Sequence, residues 1–355
     1  MEDITPKYTF EVFDKNGDLA LDLTRGILSY SLSTKRNRVE NGTLRLNQDY
    51  INRILSKTND SFWDKIGVEI NEIRVKRGGK VISAGRIHNG NPNSFVNKKN
   101  FEIKYSGWLS LFYDAYTSTD VSYAGIDAGV IAWGIINTAQ SRTNGDYGII
   151  EGNIATSKPR DRNYNYKNIR DVVVQLSQVI NGFDFEITWD KIFNVYYPKI
   201  GSKREDITFT YPGNIDQLSF DRSGSNIINK VIARGGGSGN EGAIATAEDI
   251  TSQETFGLKE KIIILNDITD QNTLQEHADG YLLSSKYYMD SPRIILNGEK
   301  SPVYGSYNLG DEVKIISEDK NVYGPINAFF RIDSIDLSVD NNMREKVTLG
   351  LMNII

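Results

Sequence analysis

Period-two alternation dominates the first hundred residues. In YTFEVFDKNGDLALDL, Phe10 and Val12 or Phe13 precede the pair Asn16-Gly17, and Leu19, Leu21 and Leu23 follow it. That dipeptide supplies the positive φ angles of a tight turn, so the stretch predicts a hairpin. EIRVKRGGKVISAGRI predicts a second one, turning at Gly78-Gly79 between Ile73/Val75 and Val81/Ile82. NFEIKYSG alternates with Phe101, Ile103 and Tyr105 on one face. DYINRIL places Ile51, Ile54 and Leu55 at helical spacing, so this third of the chain reads as a small closed or nearly closed β-barrel decorated by one helix.

The period then changes. GIDAGVIAWGIINTAQ predicts a helix with Ile126, Val130, Trp133 and Ile136 or Asn137 on its apolar stripe. KNIRDVVVQLSQVINGFDF predicts another, with Ile169, Val172, Val173, Leu176, Val179 and Ile180 facing inward and Gly182 as the stop. Strand patterns return in FDFEITWDKIFNVYYP, DITFTY and NIINKVIARG. One helix follows, with Leu274, His277, Ala278, Tyr281 and Leu282 on a face, and then PRIILNG, GDEVKII, FFRIDSIDL and KVTLGLM as strands. The fold class is therefore β-rich α+β.

Length and composition narrow the function. A chain of 355 residues is longer than one core usually supports, which predicts two or three domains. The net charge of −5 argues against a nucleic-acid binder, whose affinity rests on clustered Lys and Arg. No cysteine is present, which removes disulfides and thiolate chemistry, and with only His88 and His277 a multi-His metal site is not available. The start at Met1 lacks a leader pattern, and the longest near-apolar run, Gly129–Ile136, is too short for a bilayer; both predict a soluble chain without a transmembrane segment.

Several motifs invite a chemical reading. Gly237, Gly239 and Gly242 spell a dinucleotide-loop spacing after NIINKVIARG, with Asp267 beyond the next apolar run. Such a loop needs a buried strand before it and a long helix starting inside it. Lys230 and Arg234 make the strand half-exposed, and AIATAEDITSQETFG offers at most two helical turns. Gly235–Gly242 is better read as an exposed or interfacial hinge between domains. DKNGD resembles the start of a calcium loop, but Arg25 stands where the bidentate Glu belongs, so the hairpin reading wins. His277 reads as a packing residue and Trp133 as core. Tyr164 and Tyr166 in DRNYNYKN could meet a carbohydrate or anchor an interface, and are more simply part of a polar loop. No catalytic, cofactor-binding or metal-binding residue is assigned.

The order of elements resembles the tail-tip and baseplate hub proteins of long-tailed bacteriophages, including the hub of contractile tails and the N-terminal part of tail-associated lysins. The resemblance is carried by GILSYSLSTKRNRVENGTLRL and VISAGRIHNG early in the chain. AWGIINTAQ and RDVVVQLSQVINGFDFEITWDKIFNVYYPKIG carry it in the middle, and NIINKVIARGGG, SQETFGLKE, HADGYLLSS and YNLGDEVKI later. It implies two tail-tube-like antiparallel β-barrel domains and a mixed α/β middle region. The first barrel would span 1–116, the middle 117–204 with 240–290, and the split second barrel 205–239 with 291–355. It implies further a homotrimeric ring that closes the tail tube and adapts sixfold to threefold symmetry. Expected partners are a distal tail or tail tube protein, a tape measure protein, and a central fibre, spike or receptor-binding protein, all in the virion after synthesis in host cytoplasm. The chain differs from many relatives in ending directly after its last strand pattern, so wall cleavage is expected from a separate protein. The alternative reading is a surface carbohydrate-binding adhesin or, further off, a glycoside hydrolase.

Overall fold

The computed structural model describes residues 7–58, 61–95, 98–236, 243–266, 268, 270–287, 289–318 and 324–354. The Asn16-Gly17 hairpin forms: β1 (Tyr8–Phe13) and β2 (Leu19–Asp22) are antiparallel, and Gly17 takes φ +85°. β3 (Ile27–Lys35) and β4 (Asn41–Asn47) follow, then α1 (Gln48–Thr58) and the single-turn α2 (Phe62–Lys65). Gly78 and Gly79, both left-handed, turn β5 (Glu72–Arg77) into β6 (Lys80–Phe95), and β7 (Lys98–Ser106) ends the group. Alternation decides the buried face: Phe10, Val12, Ile73, Val75, Phe101, Ile103 and Tyr105 are all in the core.

The middle of the chain supplies β8 (Val121–Asp127), α3 (Ala128–Gln140), β9 (Ile150–Glu151), β10 (Pro159–Tyr164), α4 (Ile169–Ser177), β11 (Asp184–Ile187) and β12 (Ile192–Tyr196). Both longer helices start on a capping side chain. Asp127 accepts from the N–H groups of Gly129 and Val130, and Asn168 accepts from that of Asp171. The buried face of α3 is rotated from the expected stripe. Ile131, Ala132, Ile135, Ile136 and Ala139 point inward, Val130 is 43% exposed, and Trp133 only flanks the core, stacked on Phe193 at 6.3 Å. Since α3 is apolar nearly all round, periodicity left its phase open. α4 stops at Ser177, before the expected Val179 and Ile180, although Val179 is still buried in the turn that leads to Gly182. Ile131, Ile135, Val172, Val173, Leu176, Phe185 and Phe193 form a core of their own.

The remainder runs β13 (Lys203–Tyr211), β14 (Gln217–Ser223), β15 (Lys230–Gly235), β16 (Ile244–Glu248), α5 (Ile250–Phe256), β17 (Glu260–Leu265) and α6 (Gln271–Ser285). It closes with β18 (Met289–Asn297), β19 (Glu312–Ser317), β20 (Ile326–Val339) and β21 (Glu345–Met352). The expected second β unit, 205–239 with 291–355, needs correction at one boundary. β13 and β14 join the large sheet, but β15 pairs antiparallel with β16 and parallel with β17 in a separate sheet. Val231, Ala233, Ala245, Ala247, Leu274 and Ala278 give that sheet and α6 a third core, apart from the one around α3 and α4.

The large sheet has 13 strands in the order β14-β18-β21-β20-β3-β4-β7-β6-β5-β1-β2, with β13 and β19 branching from β20. Its early and late strands are joined by one pairing, β3 with β20, in which Leu32 lies opposite Leu337. β20 can do this because it is 14 residues long: its first half pairs with β19 and its second half with β3, across an irregularity between Ile332 and Ser334. Residues from both ends of the chain, among them Tyr8, Phe10, Tyr30, Phe209, Tyr307, Leu337 and Leu349, share one hydrophobic cluster. Among the described residues no closed barrel forms; β2, β13 and β14 each pair along one edge only.

Candidate functional site

A cleft of about 920 Å³ opens where the large sheet meets the β11–β12 hairpin. One wall is the end of β3 with the following turn, carrying Arg36, Arg38 and Glu40. Another is the hairpin itself, with Glu186, Trp189 and Tyr196, and a third is the segment 303–309 between β18 and β19. The indole N–H of Trp108 donates to the Trp189 carbonyl at 3.1 Å and fixes the hairpin turn, where Lys191 takes φ +68°.

Buried ion pairs fasten these walls. Asp184, 4% exposed, accepts from Arg36 Nη1 (2.9 Å), Asn37 Nδ2 (3.0 Å), Arg331 Nη2 (2.5 Å) and the Ile200 N–H (2.9 Å). One carboxylate thereby ties β3, β11 and β20 together. Glu345 does the same between the first and last strands, accepting from Arg77 (2.7 and 2.9 Å) and the Tyr8 hydroxyl (2.7 Å), with Lys7 at 3.0 Å. Burial pushes its carboxyl up, but these donors outweigh it and hold the carboxyl below its ordinary range.

Glu40 behaves oppositely. Desolvation pushes its carboxyl up to about 7, against the hydrogen bond from Ser83, and neighbouring Glu186 adds to the rise. Ser83 continues a chain of hydroxyls to Tyr105 (2.5 Å) and Tyr30 (2.8 Å). The Tyr105 ring lies where a side chain on Gly42 would stand: a Cβ there would come within 2.0 Å of it. Glu186 accepts from the Tyr196 hydroxyl at 2.5 Å.

The motifs singled out in the sequence fall elsewhere. The residues of the glycine spacing, Gly237, Gly239 and Gly242, lie outside the described residues, as does Asp267. Their flanks overturn the reading of Gly235–Gly242 as an interdomain hinge: β15 before the segment and β16 after it pair with each other antiparallel in one sheet. The Asp14 carboxylate is occupied by the N–H groups of Asn16 (2.8 Å) and Asp18 (3.0 Å), and among the described residues no group of three His, Asp or Glu is placed to hold a metal. His277 meets Arg162 Nη2 at 3.2 Å, and burial together with Arg162 and Arg160 lowers it to about 3, so it is a neutral packing side chain. Burial also lowers His88, whose Nδ1 lies 3.3 Å from the Ser106 hydroxyl. Tyr164 is buried, whereas Tyr166 is 67% exposed. Glu40, Asp184, Glu345 and Tyr307 carried no sequence signal, because what marks them is which distant segments surround them.

No protein-family model and no curated protein matches the chain. Solved structures do. A tail protein from Neisseria meningitidis MC58 superposes with a TM-score of 0.66 at 11% identity, covering 98% of this chain and 97% of that one. The fold is that of phage tail proteins. The 43 kDa tail protein of prophage MuSo2 from Shewanella oneidensis is similar at TM-score 0.65 and 12% identity, with 98% and 97% coverage. Prophage tail protein gp18 from Listeria monocytogenes EGD-e follows at TM-score 0.60 and 15% identity, with 96% and 94% coverage. At these identities the tail-protein fold is shared while individual side chains have diverged. No helix among the described residues is long and apolar enough to cross a membrane.

Proposed function

We propose that this chain is a structural hub at the tail tip or baseplate of a long-tailed phage, without enzymatic activity of its own. The observation that carries the reading is the end-to-end match to tail proteins, which takes in all three cores and not one motif. Three copies form a ring that closes the tail tube. Each contributes two tube-like units, 1–116 and 205–223 with 291–355, while the two smaller bodies between them face the tip. The unpaired edges of β2, β13 and β14 support this arrangement, since such edges call for lateral partners and ring closure supplies them. A sixfold distal tail or tail tube protein docks on one face, the tape measure protein reaches the lumen, and a fibre, spike or receptor-binding protein docks on the other. With a net charge of −5 per chain, the ring has no sequence-specific hold on DNA and lets it slide through during ejection. Light scattering tests the reading: a particle of three times 39.9 kDa with a threefold ring in negative stain is expected. A monomer at every concentration, with or without a tail tube protein, would overturn it.

A further inference from the structure

The cleft at the sheet–hairpin junction has features that a mere seam between bodies does not need. Tyr307 lines it, is 1% exposed, and has its ring fixed edge-on to Phe209 at 5.5 Å, yet its hydroxyl has no hydrogen-bond partner among the described residues. Leaving a buried hydroxyl unsatisfied costs about 1–3 kcal/mol, so the group calls for a partner that the described residues do not provide. Trp189 lines the same cleft and is 45% exposed, an aromatic side chain on a turn whose backbone is anchored by the Trp108 hydrogen bond to the Trp189 carbonyl. Glu186 presents a carboxylate steadied by Tyr196, and Glu40, half-buried on the facing wall, keeps its proton to about pH 7 and so can donate as well as accept.

The charges select the ligand class. Arg36 is taken up by Asp184 and Asp333, and Arg77 by Glu345, so these two guanidiniums of the cleft wall are already neutralised. A phosphate or an acidic peptide would find two carboxyl groups and, among the described residues of the wall, few cations without a described ion pair, namely Arg38 and Lys80, both exposed. What remains is an aromatic side chain in one cleft with a mixed set of hydrogen-bond donors and acceptors. This suits a ligand with a C–H face and a rim of hydroxyls that both donate and accept. The volume, about 920 Å³, lies in the range of roughly 300–1,000 Å³ usual for ligand pockets.

We infer that this cleft binds a short neutral oligosaccharide, with Trp189 stacked on one sugar ring and Tyr307, Glu40 and Glu186 bonded to its hydroxyls. This binding stands apart from the hub reading, because it needs neither a ring nor a tail. Calorimetric titration of the whole chain with cellotetraose, maltotetraose and chitotetraose tests it, with saturation-transfer NMR reporting on the same samples. Saturable binding of at least one is expected, weakened about tenfold or more by Trp189→Ala. Tyr307→Phe is expected to weaken it about fivefold while leaving the thermal midpoint unchanged or raised, since the deleted hydroxyl holds nothing in the free protein. Failure of all three glycans to bind at about 10 mM, an affinity worth less than roughly 3 kcal/mol, would overturn the proposal. So would binding that both variants leave intact, or tighter binding of a hexaglutamate peptide than of any glycan.

Discussion

Replacing Asp184 by alanine would leave Arg36 and Arg331 facing each other across the junction without the carboxylate that both now use. Breaking a buried pair by removing one partner costs about 3–5 kcal/mol, because the remaining charge stays desolvated. Asp184→Ala is therefore expected to lower unfolding free energy by that amount in urea titration, and Asp184→Asn, which keeps the acceptor, by less. Glu40 makes the opposite kind of prediction. Its ordinary value is 4.5 and its folded value about 7, so between those limits the native protein holds a proton that the unfolded chain releases. Stability from this group is full below about pH 4.5 and is lost as pH rises through 7. Glu40→Gln should match wild type near pH 4.5 and exceed it at pH 8, by up to about 3 kcal/mol; parallel pH profiles for the two proteins would show the assignment wrong. His277 works in the acid range. Its folded value is lowered to about 3, so its contribution is present above about pH 6.5 and is lost as pH falls from there.

At the scale of elements, Asp127 is more than a helix cap. Besides the first turn of α3 it accepts from the Thr156 N–H and hydroxyl and from the Lys158 N–H, tying the helix start to the segment before β10. Desolvation raises its carboxyl, but these bonds outweigh that and hold it below its ordinary range. A cap alone is worth about 0.5–2 kcal/mol, so Asp127→Ala should reach at least the upper end of that range in thermal or urea unfolding, and Asp127→Asn should recover part of it. The Asn-Gly and Gly-Gly turns and the alternation of β1, β5 and β7 were readable in the sequence, because all depend on neighbours within a few residues. The inward face of α3 was not readable, since Ile131, Val130, Trp133 and Ile135 are equally apolar and only Phe185, Phe193 and α4 decide among them. The β15–β16–β17 sheet was missed for a related reason. The half-polar pattern of β15 fits either sheet, and its partner is settled by register, Val231 opposite Ala247, and not by composition. The cleft was illegible altogether, as its walls come from residues more than 250 positions apart, such as Glu40 and Tyr307.

For the whole molecule, the shared cluster of early and late residues implies that the first β unit does not stand alone. A fragment of residues 1–116 would keep β1 to β7 but lose β20 from the edge of β3, and with it Leu337 and Val339 from the core around Tyr30 and Leu32. Such a fragment is expected to show broadened, poorly dispersed NMR signals and to bind a hydrophobic dye, while the full chain does neither; a well-dispersed fragment spectrum would refute this. The same pairing has a consequence in time. Ser31 and Ser338 face each other across the β3–β20 ladder, so one edge of the first-made sheet stays open until the last-made strands leave the ribosome. Closing a contact across that span of chain is slow. At a few to twenty residues per second, the nascent chain carries an unsatisfied edge for tens of seconds, an interval in which edge-to-edge pairing with other chains competes with folding.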